Sequence, residues 1–148
     1  MPAIDPQLKL YAICSCVLTL EMLALGFMSA ARRAKHKGYM NPEDKAVSFG
    51  EATLVEGGDH PDVQRVQRAH RNLLESLPMF FSLGLIYLLV GAPALGAQIL
   101  FTTFTAARVL HAIVYINALQ PWRTIMFALG SLSLVAMIVL ILRQVFTA

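Results

Sequence analysis

Residues 79–90 read Met-Phe-Phe-Ser-Leu-Gly-Leu-Ile-Tyr-Leu-Leu-Val and carry no charge, yet they follow directly on residues 65–78, which hold three arginines, an asparagine and a glutamate. A helix running through both stretches has to leave water and enter lipid. Crossing a hydrocarbon core takes about 20 apolar residues, and runs of that kind recur along the chain. The pattern predicts four spans, at about residues 8–35, 61–90, 95–119 and 122–146, with a polar loop at about 38–60. With 57% hydrophobic and only 14% charged residues, the 148-residue chain is read as a single all-α domain, an integral membrane four-helix bundle.

Charge sets the expected orientation. Nine of the twelve Lys and Arg residues (32, 33, 35, 37, 45, 65, 68, 71 and 123) fall on one side of such a bundle. By the positive-inside rule that side is cytoplasmic, and both termini lie on the other. The same asymmetry accounts for the net charge of +3 without a nucleic-acid partner. Met1 to Lys9 lacks a basic n-region, so the first span is expected to stay in the mature protein. Cys14 and Cys16 stand two residues apart in that span, nearly opposite each other on a helix, and are read as packing residues. No Gly-rich phosphate loop and no zinc-binding spacing is present, so no metal is expected.

Punctuation residues set the helix ends. Asp59 or His60 is the expected N-cap of the second helix, with Pro61 at its first position. Pro78 is expected to kink that helix where its polar stripe ends. Gln120-Pro-Trp-Arg123 forms a second cytoplasmic turn, with Trp122 as an interfacial anchor.

At about 100° per residue, Arg65, Arg68, Arg71, Asn72 and Glu75 share an arc of roughly 120°, whereas His70 points the other way. Arg108, His111 and Tyr115 share one face of the third span at i, i+3 and i+7. Ionisable groups at membrane depth are expensive and usually face the bundle interior or a ligand. These clusters, with Arg123 and Thr124, lie at the cytoplasmic ends of their helices and can converge. Arg71, Arg108 and Arg123 offer paired donors for carboxylates, Glu75 an acceptor for an ammonium, and Asn72, His111 and Tyr115 partners for peptide groups. The inventory suits a small zwitterionic peptide better than a phosphate. Simpler roles stand beside it: Arg65 and Arg68 as membrane anchors, an Arg71–Glu75 pair along the helix, and Arg108 as the ion-pair partner of Glu75 or Glu21. Glu21, the one charge inside the first span, needs a proton or an interhelical bond.

The run Arg65-Val-Gln-Arg-Ala-His-Arg-Asn-Leu-Leu-Glu75, with Asn41-Pro-Glu-Asp44 before it and Arg108, His111 and Tyr115 after it, resembles the MAPEG family, in the branch of microsomal glutathione transferases and prostaglandin E synthases. The resemblance implies a homotrimer with glutathione held between subunits near the cytosolic side. Arg33, Arg71, Asn72, Glu75, His111 and Tyr115 would hold glutathione, with Arg108 and Arg123 completing the ligand set. Arg123 and Thr124 would stand next to the thiol, and Asp44 matches an aspartate proposed to take part in the synthase reaction. Three departures stand out: one residue fewer between Tyr115 and Arg123, Phe127 in place of the synthase tyrosine, and Glu21 in place of a usual lysine. The implied activity is conjugation of glutathione to lipophilic electrophiles drawn from membrane lipid, together with reduction of lipid hydroperoxides. A glutathione-dependent prostaglandin isomerase and a non-catalytic membrane scaffold are the alternatives.

Overall fold

The computed structural model describes residues 4–39, 41, 44, 53–54 and 58–147. It contains four helices, α1 (Pro6–Lys35), α2 (Pro61–Leu89), α3 (Ala94–Ile116) and α4 (Trp122–Thr147), each long and apolar enough to cross a membrane. Inside the stretch expected to be loop, Gly38–Tyr39 (β1) pairs in parallel with Thr53–Leu54 (β2), a two-residue ladder that no periodicity announces. Of the motif at 41–44, Asn41 and Asp44 are described; Pro42 and Glu43 lie outside the described residues.

The helix starts follow local chemistry. Asp5 Oδ1 accepts from the backbone N–H groups of Gln7 (2.8 Å) and Leu8 (3.1 Å), and Pro6 opens α1, where a missing N–H costs nothing. Arg32, Arg33 and Lys35 occupy its last turn, where the helix dipole favours cations. His60 caps α2, its Nδ1 accepting from Asp62 N at 3.3 Å. Helix α2 continues as one element through Pro78, although that residue has no N–H to offer the Leu74 carbonyl. Helix α3 stops at Ile116 rather than near 119: Asn117 caps it, and Ala118 turns into left-handed backbone at φ 58°. The connection to α4 therefore takes up residues whose apolar character reads as span.

Helix α3 packs most extensively on α4, and α1 on α2. Phe80, Tyr87, Phe101 and Phe104 are fully buried between them, with Phe80 and Phe104 stacked at 4.6 Å. Lipid tails are as apolar as these rings, so close packing rather than escape from water holds such an interface together. Gly84 shows how close the approach is, since a Cβ there would lie 2.6 Å from the Tyr11 ring of α1, whose hydroxyl donates to the Phe81 carbonyl at 2.8 Å. Large apolar side chains such as Phe27, Leu89 and Phe146 point outward. Cys14 is buried and Cys16 exposed, both free, as their placement on opposite helix faces requires.

Candidate functional site

The face formed by Arg108, His111 and Tyr115 turns into the bundle as its spacing predicts: Arg108 is 3% exposed, His111 4%, and Tyr115 is half-buried. Arg108 Nη1 donates to Asn72 Oδ1 of α2 at 3.1 Å. Its guanidinium carbon stands 5.3 Å from the ring centres of both Phe104 and Phe127, a placement in which ring faces offset part of the cost of burying a cation. Gly130 of α4 provides the space, because a Cβ there would meet Arg108 Nε at 3.0 Å. Arg108 Nε itself has no acceptor, and both Glu21 carboxyl oxygens are buried without a hydrogen-bond partner. Arg108 and Glu21 are coupled through the field between them, with no ion pair within 4.0 Å; Glu75 takes no part.

Toward the polar end the chain of contacts continues. The His111 ring meets Tyr115 at 5.5 Å and Phe127 at 6.1 Å, and the Arg123 guanidinium lies 4.9 Å over the Tyr115 ring. With its amide turned so that the oxygen faces the guanidinium, Gln120 accepts from Arg123 Nη2 (2.7 Å) and Nε (3.1 Å), while its amide nitrogen donates to Thr124 Oγ1 (3.3 Å). Arg123 and Thr124 thus sit in the first turn of α4, braced by the preceding turn and by α3. Thr124 is exposed.

Asn72, Arg108, His111, Tyr115 and Arg123 come together, with Thr124 beside Arg123; Arg33, Asp44, Arg71 and Glu75 do not join them. Arg71 is exposed and lines a cleft of about 470 Å³ between α1 and α2 with Gly26, Ser29, Gln67 and His70. The expected cluster of Arg71 with Arg108 and Arg123 is not formed within one chain, and His70, expected on the opposite side, shares the Arg71 cleft. Adjacent positions on a helix diverge by about 100°, which sends Asn72 inward and Arg71 outward. Glu75 is exposed and makes no ion pair with Arg71 among the described residues.

Arg33 is engaged elsewhere as well. Its Nε and Nη2 donate to the two carboxylate oxygens of Asp59 at 2.9 and 2.7 Å, and Gln67 Nε2 donates to Asp59 Oδ2 at 2.6 Å. Asp59 is 5% exposed, and the Arg33 fork holds its carboxyl below the usual carboxylate range, against the opposing effect of burial and with help from Gln67. Asp44 lies within the electrostatic reach of Arg33, its carboxylate accepting from Asn41 Nδ2 at 3.3 Å.

Three contributors escape sequence reasoning. Gln120 reads as turn residue, Gly130 as one small residue in an apolar run, and Asp59 as a cap. Only the cap position carries a local signal: of the two expected candidates His60 does the capping, which leaves the Asp59 carboxylate to Arg33 and Gln67.

The comparisons agree with this architecture. The MAPEG family model matches residues 11–143. The chain is 32% identical over 139 residues to prostaglandin E synthase of Homo sapiens, covering 93% of this chain and 90% of that protein. It is 34% identical over 114 residues to prostaglandin E synthase of Mus musculus (77% and 72%). To microsomal glutathione S-transferase 1 of Homo sapiens it is 33% identical over 129 residues (85% and 83%).

Proposed function

The chain belongs to the MAPEG family, and from that premise we propose that this multi-pass membrane enzyme is a glutathione transferase acting on lipophilic electrophiles, with reduction of lipid hydroperoxides as a second activity of the same centre. The observation that carries the reading is the Asn72–Arg108–His111–Tyr115–Arg123 file, which runs from the bundle interior to the polar end beside helix faces that are apolar and exposed. A water-soluble thiol and a lipid-borne substrate can meet there.

The residues fit glutathione. Arg108 Nε is a buried donor in want of an acceptor, and Arg71 and Glu75 supply an exposed cation and carboxylate for a ligand with charges of both signs. When bound, glutathione supplies the thiol. A free thiol ionises near pH 8.5, and a nearby cation favours its thiolate. Arg123 stays protonated and cannot act as base, so its role is to hold negative charge at the sulfur and on the developing transition state. Thr124 offers a hydroxyl donor beside it. With an aryl halide the sulfur–carbon bond forms as the carbon–halogen bond breaks, releasing halide and the thiol proton. Phe127 carries no hydroxyl, so no second phenol supports the sulfur. Arg33 is bound to Asp59, so a role for it or for Asp44 in this reading rests on the family resemblance alone.

Arg71 lines the α1–α2 cleft whereas Arg123 rests on α3, so a pocket using both needs a neighbouring copy. The reading includes the homotrimer that the family resemblance implies, and the positive-inside rule puts the site near the cytoplasmic face and both termini on the other side. The test is conjugation of a generic aryl halide by the detergent-solubilised protein. Arg123→Ala is expected to lower the rate by roughly 10²-fold, about 3 kcal/mol of transition-state stabilisation. Absence of glutathione-dependent turnover with any electrophile removes the reading. A thiolate absorbance at about 240 nm on adding glutathione separates an enzyme from an inert scaffold. The similarity to prostaglandin E synthases favours one second reading, isomerisation of a prostaglandin-type endoperoxide; conversion no faster than without protein eliminates it.

A further inference from the structure

The joint between α1 and α2 carries a group that the proposed reaction does not use. His36 ends α1 as its C-cap, His60 begins α2 as its N-cap, and Asp62 stands in the first turn of α2. One donor atom from each lies within 4.8 Å of the others. His36 Nε2 is 3.4 Å and His60 Nδ1 3.8 Å from Asp62 Oδ2, and the two imidazole rings stack at 3.6 Å. His36 and His60 also line a cleft of about 310 Å³ with Arg33 and Asp59 at its side.

The decisive detail is the state of His60 Nδ1. It accepts the Asp62 backbone N–H at 3.3 Å, so it presents a lone pair and no hydrogen. That nitrogen stands 3.8 Å from a carboxylate oxygen of Asp62, and a cation can bridge the two once the lone pair gives up the backbone N–H. Around a tetrahedral zinc ion with bonds of about 2.0–2.1 Å, neighbouring donors stand about 3.4 Å apart. Two of the separations, 3.4 and 3.8 Å, approach that figure and all three donors lie within 4.8 Å of one another, so rotations of the side chains that open the ring stack bring them into place. Asp62 N then loses its side-chain cap, at the first turn of a helix whose start is exposed.

We propose that His36, His60 and Asp62 bind a divalent transition metal ion of the zinc type, clamping the end of α1 to the start of α2. Two imidazoles and one carboxylate leave a fourth position for water. The residues are 24 and 2 positions apart, which is why no zinc-binding spacing is visible in the sequence; the fold brings them together.

The test uses the full chain without an affinity tag, in detergent and free of glutathione and other thiols, titrated with zinc chloride by calorimetry. One zinc ion per chain is expected for the wild type. His36→Gln and His60→Asn, the latter keeping a capping side chain, should each lose it, whereas His70→Gln should keep it. On the wild-type protein, zinc should protect His36 and His60, but not His70, from acylation by diethyl pyrocarbonate, mapped by mass spectrometry; this readout does not depend on how any variant folds. No zinc uptake by the wild type, uptake that survives either substitution, or protection that omits these two histidines overturns the site.

Discussion

Two buried polar groups in this bundle are built on opposite terms. At the polar end, the Asp59 carboxylate receives both arms of Arg33 and the amide of Gln67, so each of its oxygens is satisfied. Deeper in, Arg108 has one hydrogen bond, to Asn72, while its Nε and both oxygens of Glu21 have no partner. A buried donor or acceptor left without a partner forfeits about 1–3 kcal/mol. The first group is a finished structural clasp. The second holds unused bonding capacity beside His111, Tyr115 and Arg123, the condition expected where a ligand completes the set.

The comparison breaks most readily at Asp59. Asp59→Ala removes one acceptor shared by Arg33 and Gln67 and should destabilise the protein by about 2 kcal/mol, the range for hydrogen bonds to charged groups, with the part-exposed Arg33 limiting the loss. Thermal unfolding in detergent measures it, and a change below about 0.5 kcal/mol would show the clasp to be ornamental. The same carboxylate carries a pH dependence. Its folded pKa is depressed below the usual value of about 3.9, so its stabilisation is complete above that range and is lost as pH falls through the lower folded value. The stability gap between wild type and Asp59→Asn should therefore hold at neutral pH and close only below about pH 4; a gap independent of pH would show that the charge contributes nothing.

Gly130→Ala tests the second group from its rim. The new methyl meets Arg108 Nε at 3.0 Å and forces the guanidinium from its slot, at a cost of about 1–2 kcal/mol. Because Arg108 belongs to the proposed pocket, glutathione affinity should fall with stability; stability lost with affinity intact would place Arg108 outside the ligand set. The smallest effect is expected at Glu21. Its oxygens accept from no donor, so Glu21→Gln should change stability by no more than about 0.5 kcal/mol. A loss well beyond that would mean the Glu21–Arg108 attraction holds the interior together, and the contrast with Asp59 would collapse.

Which of these features are legible in the sequence depends on how local their cause is. The four spans are visible because crossing lipid imposes about 20 apolar residues on any helix, and Pro61 and the Arg108–His111–Tyr115 face follow from periodicities of a single element. The end of α3 at Ile116 is not legible, since Ala118, a strong helix former, takes the left-handed backbone at φ 58° that Gly or Asn would announce. The polar stripe at 65–75 reads as one surface, yet Asn72 reaches Arg108 while Arg71 faces the cleft beside α1, a division that depends on where two other helices lie. Arg33 reads as a ligand residue by family resemblance, whereas Asp59, 26 positions away, already occupies its fork.

The sequence by itself determined that this chain crosses a membrane as four helices and that cationic and polar groups gather at one end of them, because lipid penalises charge and unpaired backbone wherever they fall along the chain. Only the tertiary structure decided which of those groups are spent and which are left open. Hydrogen bonds such as Arg33–Asp59 and Asn72–Arg108, and the slot that Gly130 opens for a guanidinium, join residues 26, 36 and 22 positions apart, and over such separations pairing is set by how the helices pack.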